Sequence, residues 1–278
     1  MKQLFDELSY KVSQYVTEKY STSFSLGILA LKPNVRQAVY AIYGYVRLAD
    51  EVVDSFHAYD KSSLLHRLKL ETWAAMDEGI SLNPILQSFQ ETVNKYTIDR
   101  CLIEQFLSSM EMDLQEQTYT DEKYDRYILG SAEVVGLMCL QVFANGDPIA
   151  YEDLKPYAMK LGSAFQKINF LRDLNEDYRV LGRCYFPNID LNAFDNATKN
   201  LIEKEIALEF KEALIGIKKL PSSSKFGVYL AYRYYLSLFK KIKKSSAEHI
   251  LEKRVRIGNS QKLSVAMQSY VQYKMALL

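Results

Sequence analysis

Arg47-Leu48-Ala49-Asp50-Glu51-Val52-Val53-Asp54 and Gln166-Lys167-Ile168-Asn169-Phe170-Leu171-Arg172-Asp173-Leu174-Asn175-Glu176-Asp177 are the stretches on which the reading of this chain turns. Residues four apart share one face of an α-helix. Asp50 and Asp54 therefore point the same way, with Cβ atoms about 5–6 Å apart. Like charges so placed repel unless something neutralises them, and Arg47 lies on the same side. In the second stretch Asn169, Asp173 and Asp177 form successive i+4 steps along one stripe, with Gln166 adjoining it. The apolar neighbours Ile168, Phe170, Leu171 and Leu174 set that stripe against a core or a cavity.

Spacing alone is weak evidence for a site. With 15 Asp in 278 residues, random placement gives about one Asp pair at i,i+4, and such a pair faces solvent by default. Three occur here: 50/54, 121/125 and 173/177. The pair 121/125 follows Thr120, where acids suit the positive end of a helix. The other two sit mid-segment in apolar surroundings, each beside an arginine. Burying them without a partner would be costly.

Outward from these stretches, helical periodicity dominates. Leu4, Leu8, Val12, Tyr15, Val16 and Tyr20 follow the spacing of an amphipathic helix. Pro33 suits a first helical turn, and 34–55 runs on uninterrupted. Further helices are predicted at about 61–78, 83–95, 99–115, 121–144, 150–180, 195–219, 223–245, 247–256 and 261–276. The breaks between them are too short for an interdomain linker. The expectation is one all-α domain, residues 1–278, of about ten helices.

Composition agrees. Gly is 11 and Pro 6, fewer than a turn-rich β sandwich needs. Tyr is 21 and Phe 13, which suggests apolar walls with polar tips. Lys plus Arg 35 against Asp plus Glu 34 argues against a nucleic-acid binder. Cys101, Cys139 and Cys184 are scattered and odd in number, pointing to a reducing compartment. The first residues lack the apolar stretch of a signal peptide, and the run Val134 to Ala144 is too short to span a bilayer. A cytoplasmic protein is expected. Residues 218–256 hold eleven Lys or Arg against Glu248 and Glu252, a local charge of +9. That is either a solvated helix face or an attraction to an anionic inner-membrane surface.

Carboxylate and amide oxygens are hard ligands, too few at each stripe for a calcium cage. They suit Mg2+, which keeps several waters and completes its octahedron with phosphate oxygens. Two such stripes on facing helices would hold a diphosphate through several ions, with Mn2+ as a substitute. Arginines would add charge-assisted hydrogen bonds to the same oxygens. Diphosphate then becomes a leaving group. An allylic carbocation would remain in a dry aromatic cavity.

At these residues the sequence resembles the squalene and phytoene synthase family, which joins two prenyl diphosphates head to head. The first signature is Tyr40-Ala41-Ile42-Tyr43-Gly44-Tyr45-Val46 followed by 47–54. The second is Leu161-Gly162-Ser163-Ala164-Phe165 followed by 166–177, with Gly182-Arg183-Cys184-Tyr185-Phe186-Pro187 beyond. Ser109-Met110-Glu111-Met112-Asp113-Leu114 and Gly130-Ser131-Ala132-Glu133-Val134-Val135-Gly136 are also similar. The resemblance implies the class I isoprenoid synthase fold, a helical bundle around a central cavity. It implies Mg2+ ligands at Asp50, Asp54, Asn169, Asp173 and Asp177. It implies diphosphate or substrate contacts at Ser21, Ser23, Tyr43, Arg47, Gln166, Arg172, Tyr235 and Arg254, with Phe24 and Ile28 on the prenyl wall. Catalysis would fall to Asp50, Asp54, Asp173, Asp177, Tyr43 and Arg47. One prenyl diphosphate ionises, the C2=C3 alkene of the second attacks it, and a cyclopropylcarbinyl diphosphate forms. A second ionisation, rearrangement and loss of charge follow.

The sequence departs from the family pattern at Tyr20, where His is frequent, and at Leu129, where an aromatic residue or His often stands. Ile28 leaves more depth than a ring would, favouring a C20 over a C15 tail. With no GxGxxG turn, NADPH is not expected and phytoene is the expected product. The alternatives are squalene or dehydrosqualene from farnesyl diphosphate, a one-substrate terpene cyclase, and an inactive helical scaffold. His57, His66, His249 and Trp73 read as structural or surface residues. So do Tyr229, Tyr232 and Tyr234, while Glu51 and Glu176 turn away from the stripes and Asp113 is a weaker cavity candidate.

Overall fold

The computed structural model describes residues 1–115, 119–179, 184–187, 189 and 193–275, without the side chains of 177–179. The described chain is a bundle of α-helices. The first four are α1 (Lys2–Tyr20), α2 (Thr22–Leu29), α3 (Pro33–Asp54) and α4 (Lys61–Glu78). Next come α5 (Pro84–Tyr96), α6 (Arg100–Met112), α7 (Asp121–Ile128) and, after a π turn at Leu129–Glu133, α8 (Val134–Ala144). The last five are α9 (Pro148–Arg179), α10 (Asn196–Lys219), α11 (Lys225–Lys244), α12 (Ala247–Glu252) and α13 (Asn259–Lys274).

Local chemistry sets the ends. Pro33 sits in the first turn of α3, where a missing N–H costs nothing. Asp60, Asn83, Asp99, Thr120, Asp195 and Ser246 each accept a backbone N–H at a helix start. Gly79, at φ 71°, ends α4 in the left-handed conformation that glycine adopts without penalty.

Two expectations need correction. Residues 22–29 form a helix that periodicity does not reveal. Ser21 caps it, accepting the Phe24 N–H at 3.2 Å. The segment 121–144 is not one regular helix. The π turn interrupts it where Gly130 meets α6, since a Cβ there would lie 2.6 Å from the Gln105 carbonyl oxygen. Gly162 of α9 presses on the same turn, 2.7 Å from the Ala132 oxygen by the same measure. Counted as one stretch, Asp121–Ala144 is also long and apolar enough to cross a membrane by length and composition. Here it is an interior helix. Half of its apolar window is buried, and Ser131, Ala132, Val135, Gly136 and Cys139 face a central cavity.

One contiguous core runs from Ile28 to Val255, so nearly every helix contributes to it. Tyr45 of α3 stacks on Phe89 of α5 at 3.8 Å and 5°. Lys167 of α9, 4% exposed, reaches Glu209 of α10 at 2.8 Å. These contacts fix the rotation of the two helices that carry the acidic stripes.

Candidate active site

A cavity of about 990 Å3 lies between α2, α3, α8, α9, α10 and α11, at the upper end for small-molecule sites. Asp50 and Asp54 of α3 and Gln166, Asn169, Arg172 and Asp173 of α9 all line it. The two stripes therefore share one hollow. Arg254, beyond α12, lines it too. The Asp177 side chain lies outside the described residues, as do Gly182 and Arg183.

Asp50 keeps 33% of its side chain open, toward the cavity. Its carboxyl is pushed up to about 7, first by burial, then by the Asp54 charge, with Asp113 adding to the repulsion. Arg47 opposes that shift from 3.9 Å. The Arg47 guanidinium closes on Glu51 instead and stacks 4.3 Å over the Tyr20 ring. Tyr20, the departure from the family pattern, thus supports an arginine from below. Glu51 is Arg47's closest carboxylate partner, so it belongs to the site's charge network although it does not line the cavity.

On the opposite wall Asp173 is held by two guanidiniums. Arg172 donates to it at 2.9 and 2.5 Å, and Arg254 Nε lies 2.7 Å from its Oδ1. Arg254 also reaches Glu176 at 3.3 Å. Glu176 lines the cavity, against expectation. Asn169 Oδ1 accepts the Tyr235 hydroxyl at 3.2 Å. The Tyr43 phenol is pushed above its ordinary range, first by burial and then by Tyr235 and Asp50. It is protonated at neutral pH and remains a hydrogen-bond donor.

Beneath these groups four rings close on one another. Phe24 meets Tyr43 at 5.6 Å, Tyr235 at 5.5 Å and Phe165 at 6.1 Å. Phe165 stacks on Tyr235 at 3.9 Å. All four line the cavity, and their faces suit a cation. Sequence reading missed Phe165, although it directly precedes Gln166 in the quoted signature.

Asp113, 8% exposed, lines the cavity and takes the Tyr127 hydroxyl at 2.7 Å and the Tyr185 hydroxyl at 3.1 Å. Its neighbours in sequence give no sign of this clasp, because both tyrosines are distant in the chain.

Ser21 and Ile28 line the cavity, but Ser23 is not among the lining residues. Tyr229, Tyr232 and Tyr234 pack away from it, as expected, while Tyr235 faces it. His57 is at its rim, 3.1 Å from Lys61 Nζ, rather than isolated.

The donor set fits a hard divalent cation. It is all oxygen on two walls, and the Arg47 guanidinium at 3.9 Å does not outweigh the burial and the Asp54 charge that raise the Asp50 carboxyl. Among the described residues no three carboxylates converge on one point. That suits an ion that takes water and substrate oxygens for its remaining ligands.

Carboxylates at one end of a cavity with rings below them are the arrangement that the sequence resemblance implies for an all-helical synthase bundle. The fold agrees: a dehydrosqualene synthase crystal structure matches with a TM-score of 0.83 at 19% identity, covering 97% of this chain and 98% of that one. A squalene synthase from Alicyclobacillus acidocaldarius matches at 0.74 and 20% identity, covering 85% and 93%. The squalene/phytoene synthase family model matches residues 17–261, and the chain belongs to that family. The phytoene synthase of Arthrospira platensis is 30% identical over 222 residues, which is 74% of this chain and 70% of the relative. The 15-cis-phytoene synthase of Synechocystis is 28% identical, over 92% and 83%. A chloroplastic phytoene synthase of an Oncidium hybrid is 29% identical over 92% of this chain, which spans 66% of that relative's length.

Proposed function

We propose that this chain condenses two C20 prenyl diphosphates head to head, through a cyclopropylcarbinyl diphosphate, to phytoene. The observation that carries the reading is the opposition of Asp50/Asp54 and Asn169/Asp173 across a cavity floored by Phe24, Tyr43, Phe165 and Tyr235. Bound Mg2+ would neutralise diphosphate and make it a better leaving group. Asp50, Asp54, Asn169 and Asp173 would hold it, with Asp177 implied by the resemblance.

Arg47, Arg172 and Arg254 supply charge-assisted donors for the diphosphate oxygens. Tyr43 adds a neutral one. After ionisation the ring faces stabilise the allylic cation, and the apolar walls keep water from it. The alkene of the second substrate is then the available nucleophile.

Ile28 bears on chain length. It lines the cavity one helical turn beyond Phe24, and its aliphatic side chain leaves more depth for a long tail than a ring would. The names of the relatives point the same way, and a cytoplasmic location completes the proposal.

The test is mass analysis of the hydrocarbon formed from C15 and C20 diphosphates with Mg2+, with and without NADPH. A C40 product from the C20 substrate, independent of NADPH, is expected. A C30 product made preferentially, a requirement for NADPH, or a product with one prenyl chain's carbon count would overturn the reading.

A further inference from the structure

We propose that the outer face formed by α13 and α2 docks on an anionic lipid bilayer. Leu263, Met267, Tyr270 and Val271 fall at i, i+4, i+7 and i+8 on α13, and each is more than half exposed, from 51% to 64%. The helix is turned so that Val265 packs on Leu230 and Tyr234 of α11 and Ser269 is buried, while its more apolar stripe looks outward. A helix packed only for stability would face the other way.

α2 extends this surface. The Lys262 ammonium meets the Thr22 hydroxyl at the start of α2. At the other end, Ala30 packs with Ala266 on Leu230, Tyr234 and Val265. Leu26 and Leu29, 40% and 54% exposed, lie on the segment between. The opposite side of α2 carries Phe24, Gly27 and Ile28 on the cavity wall, with Leu31 just beyond the helix. One helix thickness therefore separates the apolar outer patch from the apolar hollow.

Charge identifies the occupant. α11 carries six Lys or Arg and no acid, and residues 255–275 carry Arg256, Lys262 and Lys274 and no acid. Lys241 Nζ bonds the Arg256 carbonyl at 2.6 Å, and Gln261 bonds Ser237 at 3.0 Å, so the α11 lysines cluster at the start of α13. Lys274 lies 5.7 Å over the Tyr270 ring at the other end. α1 and α10 also expose leucines, but Glu7 and Glu18 accompany the first and Glu205 and Glu212 the second. Among the described residues, the α13 face joins exposed apolar side chains to Lys and Arg with no acid on the same segment, the combination that seats a helix among anionic headgroups.

The test is flotation of the full chain with vesicles of phosphatidylglycerol and phosphatidylcholine, beside vesicles of phosphatidylcholine alone. Binding to the mixed vesicles is expected, weakened by salt. Changing Leu263, Met267 and Val271 together to Asp should lower the bound fraction about tenfold or more, with helicity and turnover of detergent-dispersed substrate unchanged. Equal binding to both vesicle types, full binding by the triple variant, or no binding by the unaltered protein would overturn the proposal. So would a concentration-dependent dimer that the triple variant abolishes, since a second copy would then be the occupant. Vesicle binding needs no turnover, so its failure is distinct from a failure of the condensation reading.

Discussion

Arg254 Nε lies 2.7 Å from Asp173 Oδ1, so a guanidinium occupies the carboxylate oxygen that a divalent cation would need. Arg172 holds the other oxygen at 2.5 Å. Both arginines line the cavity and can turn to diphosphate once Asp173 finds another counter-charge. Arg254→Met should therefore bind Mg2+ at least as tightly as the unaltered protein in calorimetry without substrate. Its turnover should fall about 100-fold, as one donor to the leaving group is lost. Weaker Mg2+ binding would show that Arg254 supports the ligand instead of competing with it.

Asp50 predicts a conflict between stability and activity. Its folded-state value near 7 lies above the ordinary 3.8, so between about pH 4 and 7 the folded chain holds a proton that the unfolded chain has lost. Stability tied to that proton is full at low pH and falls away as pH rises through 7. Asp50→Asn should be more stable than the unaltered protein at pH 8 by about 1–2 kcal/mol, less than full linkage because part of the side chain meets solvent. The gap should narrow at pH 5, and Mg2+ at pH 8 should raise the melting temperature of the unaltered protein alone. Turnover of the variant should fall by at least about 100-fold.

Phe165 tests the rings. Phe165→Leu keeps the wall apolar but removes the face stacked on Tyr235 at 3.9 Å. A loss of about 1–2 kcal/mol of cation stabilisation should lower kcat about tenfold and leave KM nearly unchanged. An equal change in KM alone would mark Phe165 as a substrate-packing residue only.

Lys167 tests the seating of α9. Its ammonium, 5% exposed, pairs with Glu209, 6% exposed, and Glu209 also takes the Ser163 hydroxyl at 2.8 Å. Lys167→Met leaves that carboxylate with Lys160 at 3.9 Å and the Ser163 hydroxyl, and urea unfolding should show a loss of about 2–3 kcal/mol. Changing Glu209 to Leu in the same chain should recover most of it.

Ile28 tests depth. Ile28→Phe places a ring one helical turn beyond Phe24, on the cavity wall. The ratio of C15 to C20 substrate use should rise, read by competition between the two diphosphates. An unchanged ratio would show that Ile28 does not set the length.

The bundle and both acidic stripes were legible because helical spacing is local. Asp50/Asp54 and Asn169/Asp173 each lie on one helix, and apolar neighbours told which face turned inward. What escaped was non-local or without period. α2 is apolar on both sides, since Ile28 faces the cavity and Leu29 faces out, so no amphipathic pattern marks it. Asp113 acquires its tyrosines from residues 14 and 72 positions away. Glu176 is the exception: it lies three residues beyond Asp173 and seven beyond Asn169, on the same helix face, so its place beside Arg254 was open to a local reading.

The π turn at Leu129–Glu133 sets the register of everything after it. Such a turn holds one residue more than a regular helix of the same rise. Wound as a regular α-helix, the same residues would carry α8 about 100° further round its axis. Val135, Gly136 and Cys139 would rotate off the hollow and other side chains would swing in. In this molecule, the surplus residue decides which atoms a guest encounters along an entire wall.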